Sequence, residues 1–225
     1  MRTDALEFVQ DAGIALKIWY DQDADNPRNE EENNLGTLVA WHPRYRLGDP
    51  IPFEAASLLI LWESLYREAH PEDTQDEIPE ATLRTWVQET YLVLPCYLLD
   101  HSGLSMQCSD FADPWDSGLV GVIYVDRAKV QRLYGVSQNA EPSARLVLQD
   151  EVARYSDYLA GAVYGYTIEA VGRCESCGHG GEILDGCWGF YGSDHCTNGL
   201  TEMVACEYPK LAALLCHCGQ HRETP

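Results

Sequence analysis

Nine cysteines and seven histidines give this chain an unusual stock of soft, nucleophilic side chains. Cys174-Glu-Ser-Cys177-Gly-His179 is a C-x-x-C knuckle with a following glycine. That spacing lets two thiolates hold one tetrahedral zinc while backbone N–H groups support the sulfurs. A second cluster, Cys216-His217-Cys218-Gly-Gln-His221, lies near the C-terminus. Two such pairs close one structural zinc site, and Cys174, Cys177, Cys216 and Cys218 are its expected ligands, with His179 and His221 as substitutes. Four protein ligands leave no open position for water, so the metal's role is structural. The competing interpretations are a reduced thiol pair and a redox C-x-x-C, and no βαβ context accompanies the motif to favour redox chemistry. Cys196 and Cys206 compete as ligands. Cys187 sits in a Trp-flanked stretch and reads as a small core residue. Cys96 and Cys108 have no partner nearby in sequence and are expected to be buried.

A second constellation is Asp100-His101-Ser102 with Ser105, followed by Asp110, Asp113 and Asp116. Carboxylate, imidazole and hydroxyl together suit nucleophilic chemistry, and several carboxylates beside a histidine suit a divalent cation. A metal-dependent hydrolase using Asp100, His101, Asp113 and Asp116 is therefore one expectation. The same segment is rich in Ser, Gly, Pro and Asp, the composition of an ordinary surface loop. No G-x-S-x-G, H-E-x-x-H or phosphate-binding loop accompanies it.

The third chemical feature is charge. The chain of 225 residues carries 15 Lys+Arg against 36 Asp+Glu, a formal net charge of -21. Phosphate polymers and anionic membranes are repelled by such a surface, which argues against direct nucleic-acid or membrane binding. Basic protein surfaces, including those that grip DNA or RNA, are attracted. Three tracts concentrate the acids: 21–32, 63–80 and 100–116. Carboxylates at phosphate-like spacing imitate a duplex, and the expected partner-binding residues are Asp21, Asp23, Asp25, Glu30, Glu31, Glu32, Glu72, Asp73, Asp76 and Glu77. Against this stands a solvated acidic face that only aids solubility. An aromatic surface at Trp188-Gly-Phe190-Tyr191, on a zinc-stabilised interaction module, is a further alternative.

The elements that must carry these groups follow from periodicity. Residues 13–20 and 35–41 read as strands, and the acidic loop 21–32 between them suggests a hairpin. A Pro/Gly-rich connection follows, HPRYRLGDPIP. Residues 53–69 and 80–90 are helical, and 91–99 is a strand whose Pro95 requires an edge position or a bulge. Residues 119–125 are the clearest strand. Asp126 caps the next helix, which presents Val130, Leu133 and Tyr134 on one face and stops at Gly135. A longer helix spans 142–160, strands follow at 162–171 and 183–192, and a helical segment at 199–215 is interrupted by Pro209. The expected fold is a single compact α+β domain with a mixed or antiparallel sheet. Residues 1–171 form its core, and 172–225 form a cysteine-rich part packed on it. Met1-Arg2-Thr3-Asp4 shows no secretory pattern and no segment has the roughly 20 apolar residues of a membrane span, so a cytoplasmic location and reduced thiols are expected.

Five segments have a recognisable order and spacing: NLGTLVAWHPRYRLGD (34–49), LPCYLLDHSGLSM (94–106), DPWDSGLVGVIYV (113–125), EVARYSDYLAGAVYGY (151–166) and DGCWGFYG (185–192). Over about two thirds of the chain they resemble an uncharacterised family of proteins carried by phages and integrative mobile elements. The resemblance implies that setting and no residue-level role. Small acidic proteins of such elements are often anti-defence factors, of the anti-CRISPR or antirestriction type, and some act as DNA mimics. The expected function is a non-enzymatic acidic inhibitor that binds a nucleic-acid-handling host protein.

Overall fold

The computed structural model describes residues 5–29, 34–172 and 181–219, the last three by backbone alone. Its fold is α+β, and every strand pairing is antiparallel. The chain forms two compact units, one of residues 1–25 and 157–225 (unit 1) and one of residues 26–156 (unit 2).

Unit 1 is built on a four-stranded sheet of order β1-β2-β7-β8. Its strands are β1 (Glu7–Asp11), β2 (Ile14–Tyr20), β7 (Val163–Ala170) and β8 (Ile183–Tyr191). Leu16, Ile18, Tyr166 and Ile168 are buried with Leu200 and Val204 of α5 (Leu200–Glu207) and Leu211 and Leu215 of α6 (Pro209–Gly219). Pro209 divides the two helices because it lacks the N–H that would continue the first.

Unit 2 holds a second sheet of order β3-β6-β4-β5. These strands are β3 (Thr37–Ala40), β4 (Tyr91–Asp100), β5 (Leu104–Gln107) and β6 (Ser117–Asp126). Pro95 lies opposite Val122 of β6, whereas β5 begins pairing only at Tyr97, so no ladder bond is lost at the proline. The register shifts between Cys96 and Tyr97, the bulge the proline predicts. Helices α1 (Leu58–Ala69) and α2 (Glu80–Thr90) bury Leu61, Trp62 and Val87 against Val39, Val122 and Tyr124. Ser57 caps α1 through Ile60 N, and Asp126 caps α3 (Arg127–Tyr134) through Ala128 N. The long helix α4 (Ala140–Leu159) buries Ala144, Leu148, Val152 and Tyr155.

Two sequence expectations fail. β2 and β3 are not a hairpin: β2 pairs with β1 and β7, and β3 pairs with β6. In α3 only Val130 is buried, while Leu133 and Tyr134 are exposed. An eight-residue helix closed by Gly135 offers the core one turn, not a full stripe. Among the described residues, no helix is long and apolar enough to cross a membrane.

Candidate functional site: acidic loops, a histidine–carboxylate pair and paired thiols

Helix α1 and the loop after it build the acidic tract 63–80. Arg67 donates through Nη1 to Gln75 O (3.1 Å) and through Nη2 to Asp76 O (3.1 Å), and it pairs with Glu63 one turn back. Tyr66 Oη donates to Asp73 (3.1 Å), and its ring stacks on His70, whose Nδ1 lies 2.9 Å from Tyr66 O. Trp86 of α2 packs edge-on against Tyr66. The cationic side chain therefore holds backbone carbonyls, and the loop's own carboxylates stay unneutralised. Glu72, Asp76 and Glu77 are exposed, and among the described residues none carries an ion pair.

Residues 21–25, the start of the tract 21–32, belong to unit 1. Asp21 accepts from Asp23 N (3.2 Å) and from Gly189 N of β8 (3.1 Å), and Asp25 O accepts from Tyr191 Oη (2.6 Å). Asp23 and Asp25 are exposed, while Asp21 is half-buried by its turn. Glu30, Glu31 and Glu32 lie outside the described residues.

The loop between β4 and β5 meets the loop before β6. His101 Nδ1 lies 2.7 Å from Asp116 Oδ2, and Asp100 N donates to Asp116 O (2.8 Å). Asp113 accepts from Trp115 N and Asp116 N, and these two N–H groups hold its carboxyl below the usual range. The hydrogen bond to Asp116, and then the charge of that carboxylate, raise the His101 pKa. Asp100 is engaged in an ion pair with Arg44. Ser102 sits at φ 57, which turns the chain back from His101, and Trp115 is 91% exposed. Of the four residues expected for a hydrolase, only His101 and Asp116 touch through their side chains; Asp113 caps the same turn through backbone N–H groups, and Asp100 is drawn to arginine instead.

The cysteines form pairs. Cys196 Sγ lies 2.9 Å from Cys216 Sγ, and the proton shared between them pushes Cys196 up to about 11. Cys96, buried in β4, is raised by its hydrogen bond with Cys108 and by burial. Cys187 packs partly buried against the core of unit 1. Cys174, Cys177, His179 and His221 lie outside the described residues, as does the Cys218 side chain, so of the four expected zinc ligands only Cys216 is placed. Among the described residues, no three His, Cys, Asp or Glu side chains are grouped to hold a metal. In the aromatic stretch Phe190 is buried and Trp188 half-exposed.

Sequence reasoning missed Arg28. Its guanidinium, 2% exposed, donates to Asp49 through Nε (2.8 Å) and Nη2 (2.7 Å), to Glu151 through Nη1 (3.0 Å), and to Gly36 O (2.7 Å). Burial alone would lower its pKa, but the bonds and charges of Asp49 and Glu151 outweigh it and raise it. Glu151 also accepts from Leu35 N (2.5 Å), and Asp49 from Leu38 N (2.8 Å). The only sequence signal was a lone arginine in an acid-rich loop. Compared with protein families, curated proteins and solved structures, the chain matches none.

Proposed function

We propose that this chain is an acidic anti-defence protein, of the anti-CRISPR or antirestriction type, which binds the basic surface of a nucleic-acid-handling host protein as a DNA mimic. The observation that carries it is the loop 72–77, where exposed carboxylates stand unpaired on a backbone fixed by Arg67 and Tyr66. Fixed like charges lose little entropy on docking and steer a cationic partner strongly at low salt. The net charge of -21 extends the same field over the chain and supports the absence of direct nucleic-acid binding. The mobile-element setting fits a cytoplasmic inhibitor of host nucleases.

The test is a pull-down from host lysate at low ionic strength, eluted by a salt gradient. Neutralising Glu72, Asp76 and Glu77 to Gln or Asn, and separately Asp23 and Asp25 to Asn, should release the partner at lower salt while the thermal melt stays put. Retention of the partner at unchanged salt in both variants would sink the proposal.

A structural zinc bound by Cys174, Cys177 and the C-terminal thiols belongs to the same reading, and the close approach of Cys196 and Cys216 supports a cysteine-rich centre in that part of the chain. Cys196 then joins Cys216 and Cys218 as an available ligand.

The second reading, a metal-dependent hydrolase, is favoured by one observation, the contact of His101 with Asp116. Turnover of phosphoester or amide substrates that needs a divalent cation and disappears in His101→Ala would select it over the inhibitor.

A further inference from the structure

Unit 2 contains a cavity of about 770 Å³ walled by Trp41, His42, Tyr45, Arg46, Pro50 and Ile51. That volume lies in the range of small-molecule sites, which combine mostly apolar walls with a few convergent polar groups. The sequence showed this stretch only as a connection, yet its backbone is pinned throughout. Trp41 N donates to Val120 O (2.8 Å), Asp49 N to Leu38 O (2.7 Å) and Gly48 N to Tyr155 Oη (2.9 Å). The Trp41 indole N–H donates to Ala55 O (2.9 Å), which fixes the ring. A wall already ordered has little freedom left to lose when a ligand enters.

The chemistry of the wall is cationic and aromatic in a chain of net charge -21. Residues 41–48, WHPRYRLG, hold two arginines and a histidine and no acid. Asp49, next in line, is consumed by Arg28 and Leu38 N. Arg44 is consumed by Asp100. Arg46 is exposed, and among the described residues it has neither a hydrogen bond nor an ion pair. His42 Nδ1 accepts from Arg44 N (3.2 Å) and Tyr45 N (3.3 Å), which leaves Nε2 as a further donor. The His42 and Tyr45 rings lie parallel, centroids 4.8 Å apart at 14°, and the Arg44 guanidinium stands over the Tyr45 ring at 5.3 Å, so Tyr45 is occupied on its own side and serves to back His42. Flat aromatic faces accept another planar ring, and a guanidinium matches carboxylate or phosphate with two parallel bonds.

We propose that this cavity binds a small anion carrying a planar ring, the ring against Trp41 and His42, which Tyr45 backs, and the anionic group on Arg46. A nucleoside monophosphate and an aromatic carboxylate share that chemistry. The site uses none of the acidic side chains assigned to partner binding, so it stands or falls separately from the inhibitor proposal.

Calorimetric titration of the full chain at low ionic strength with adenosine monophosphate, 2-naphthoate, adenosine and inorganic phosphate tests it. At least one of the two ring-bearing anions should bind about ten-fold or more tighter than adenosine or phosphate alone, and which one does so identifies the source. Arg46→Glu should weaken that ligand by about ten-fold or more with an unchanged melting temperature, since Arg46 supports no other group. Tyr45→Ala should weaken it as well. No binding of any probe at millimolar concentration, phosphate binding as tightly as the ring-bearing anions, or full affinity in Arg46→Glu would each overturn the proposal.

Discussion

Arg28 commits its donors inside unit 2, to Asp49, Glu151 and the Gly36 carbonyl, from a position 2% exposed. Removing one partner of a buried ion pair costs more than the pair contributes, because the remaining charges lose water and gain nothing. Arg28→Met leaves two carboxylates facing each other, and chemical denaturation should show a loss of about 3–5 kcal/mol. His101 is the opposite case, an exposed group whose effect is read by titration and not by stability. Its folded-state pKa is raised, so the contact with Asp116 contributes fully below about pH 6.5 and is lost as pH rises through the folded value. Nuclear magnetic resonance titration should place the His101 midpoint above 6.5, and Asp116→Asn should bring it down to about that value. A midpoint still high in the variant would assign the shift to Asp113. The spacing of Asp100, His101, Asp113 and Asp116 made this pair legible in the sequence, because turn-rich loops at strand ends return to each other. Arg28 was not legible: its partners lie 21 and 123 residues away, and short-range pattern carries no trace of them.

Strand positions were readable where partners were not. Alternation and β-branched content mark β2, β3, β6 and β7, but a period of two says nothing about the neighbour, and the acidic loop joins two different sheets. The five-residue β1 escaped because EFVQD is too short and polar to stand out. Glycines record the close approaches that strand patterns hide. A Cβ on Gly165 would stand 2.1 Å from the Trp188 ring, whereas one on Gly121 would stand 2.0 Å from the Val39 carbonyl oxygen. The half-exposed indole can swing outward, but the paired backbone of β3 cannot yield without losing its ladder. Gly165→Ala should therefore cost about 1–3 kcal/mol, with a red-shifted tryptophan emission, and Gly121→Ala should cost more. Equal losses would show that the β3–β6 pairing gives as readily as a side chain.

Charge, legible from composition alone, acts at the scale of the whole molecule with two opposite signs. A net charge of -21 repels itself, so screening should stabilise the fold: raising ionic strength from about 0.01 to 0.15 M shortens the Debye length from about 30 to 8 Å and should raise the melting temperature by a few degrees. The same salt should weaken any electrostatic partner. A melting temperature that falls with salt would mean that the native ion pairs, and not the excess acids, dominate the field.

The order in which the two units come into being follows from their layout. Residues 26–156 are one unbroken stretch with its own core, but unit 1 needs both ends of the chain. Leu16 of β2 lies opposite Ile168 of β7, so on the ribosome the first hairpin emerges with a naked inner edge. It must wait on the order of ten seconds, while the middle of the protein is translated, before its neighbour leaves the exit tunnel. This hairpin, synthesised before the whole of unit 2, is thus completed after it, and during that interval its open edge is a site for a chaperone.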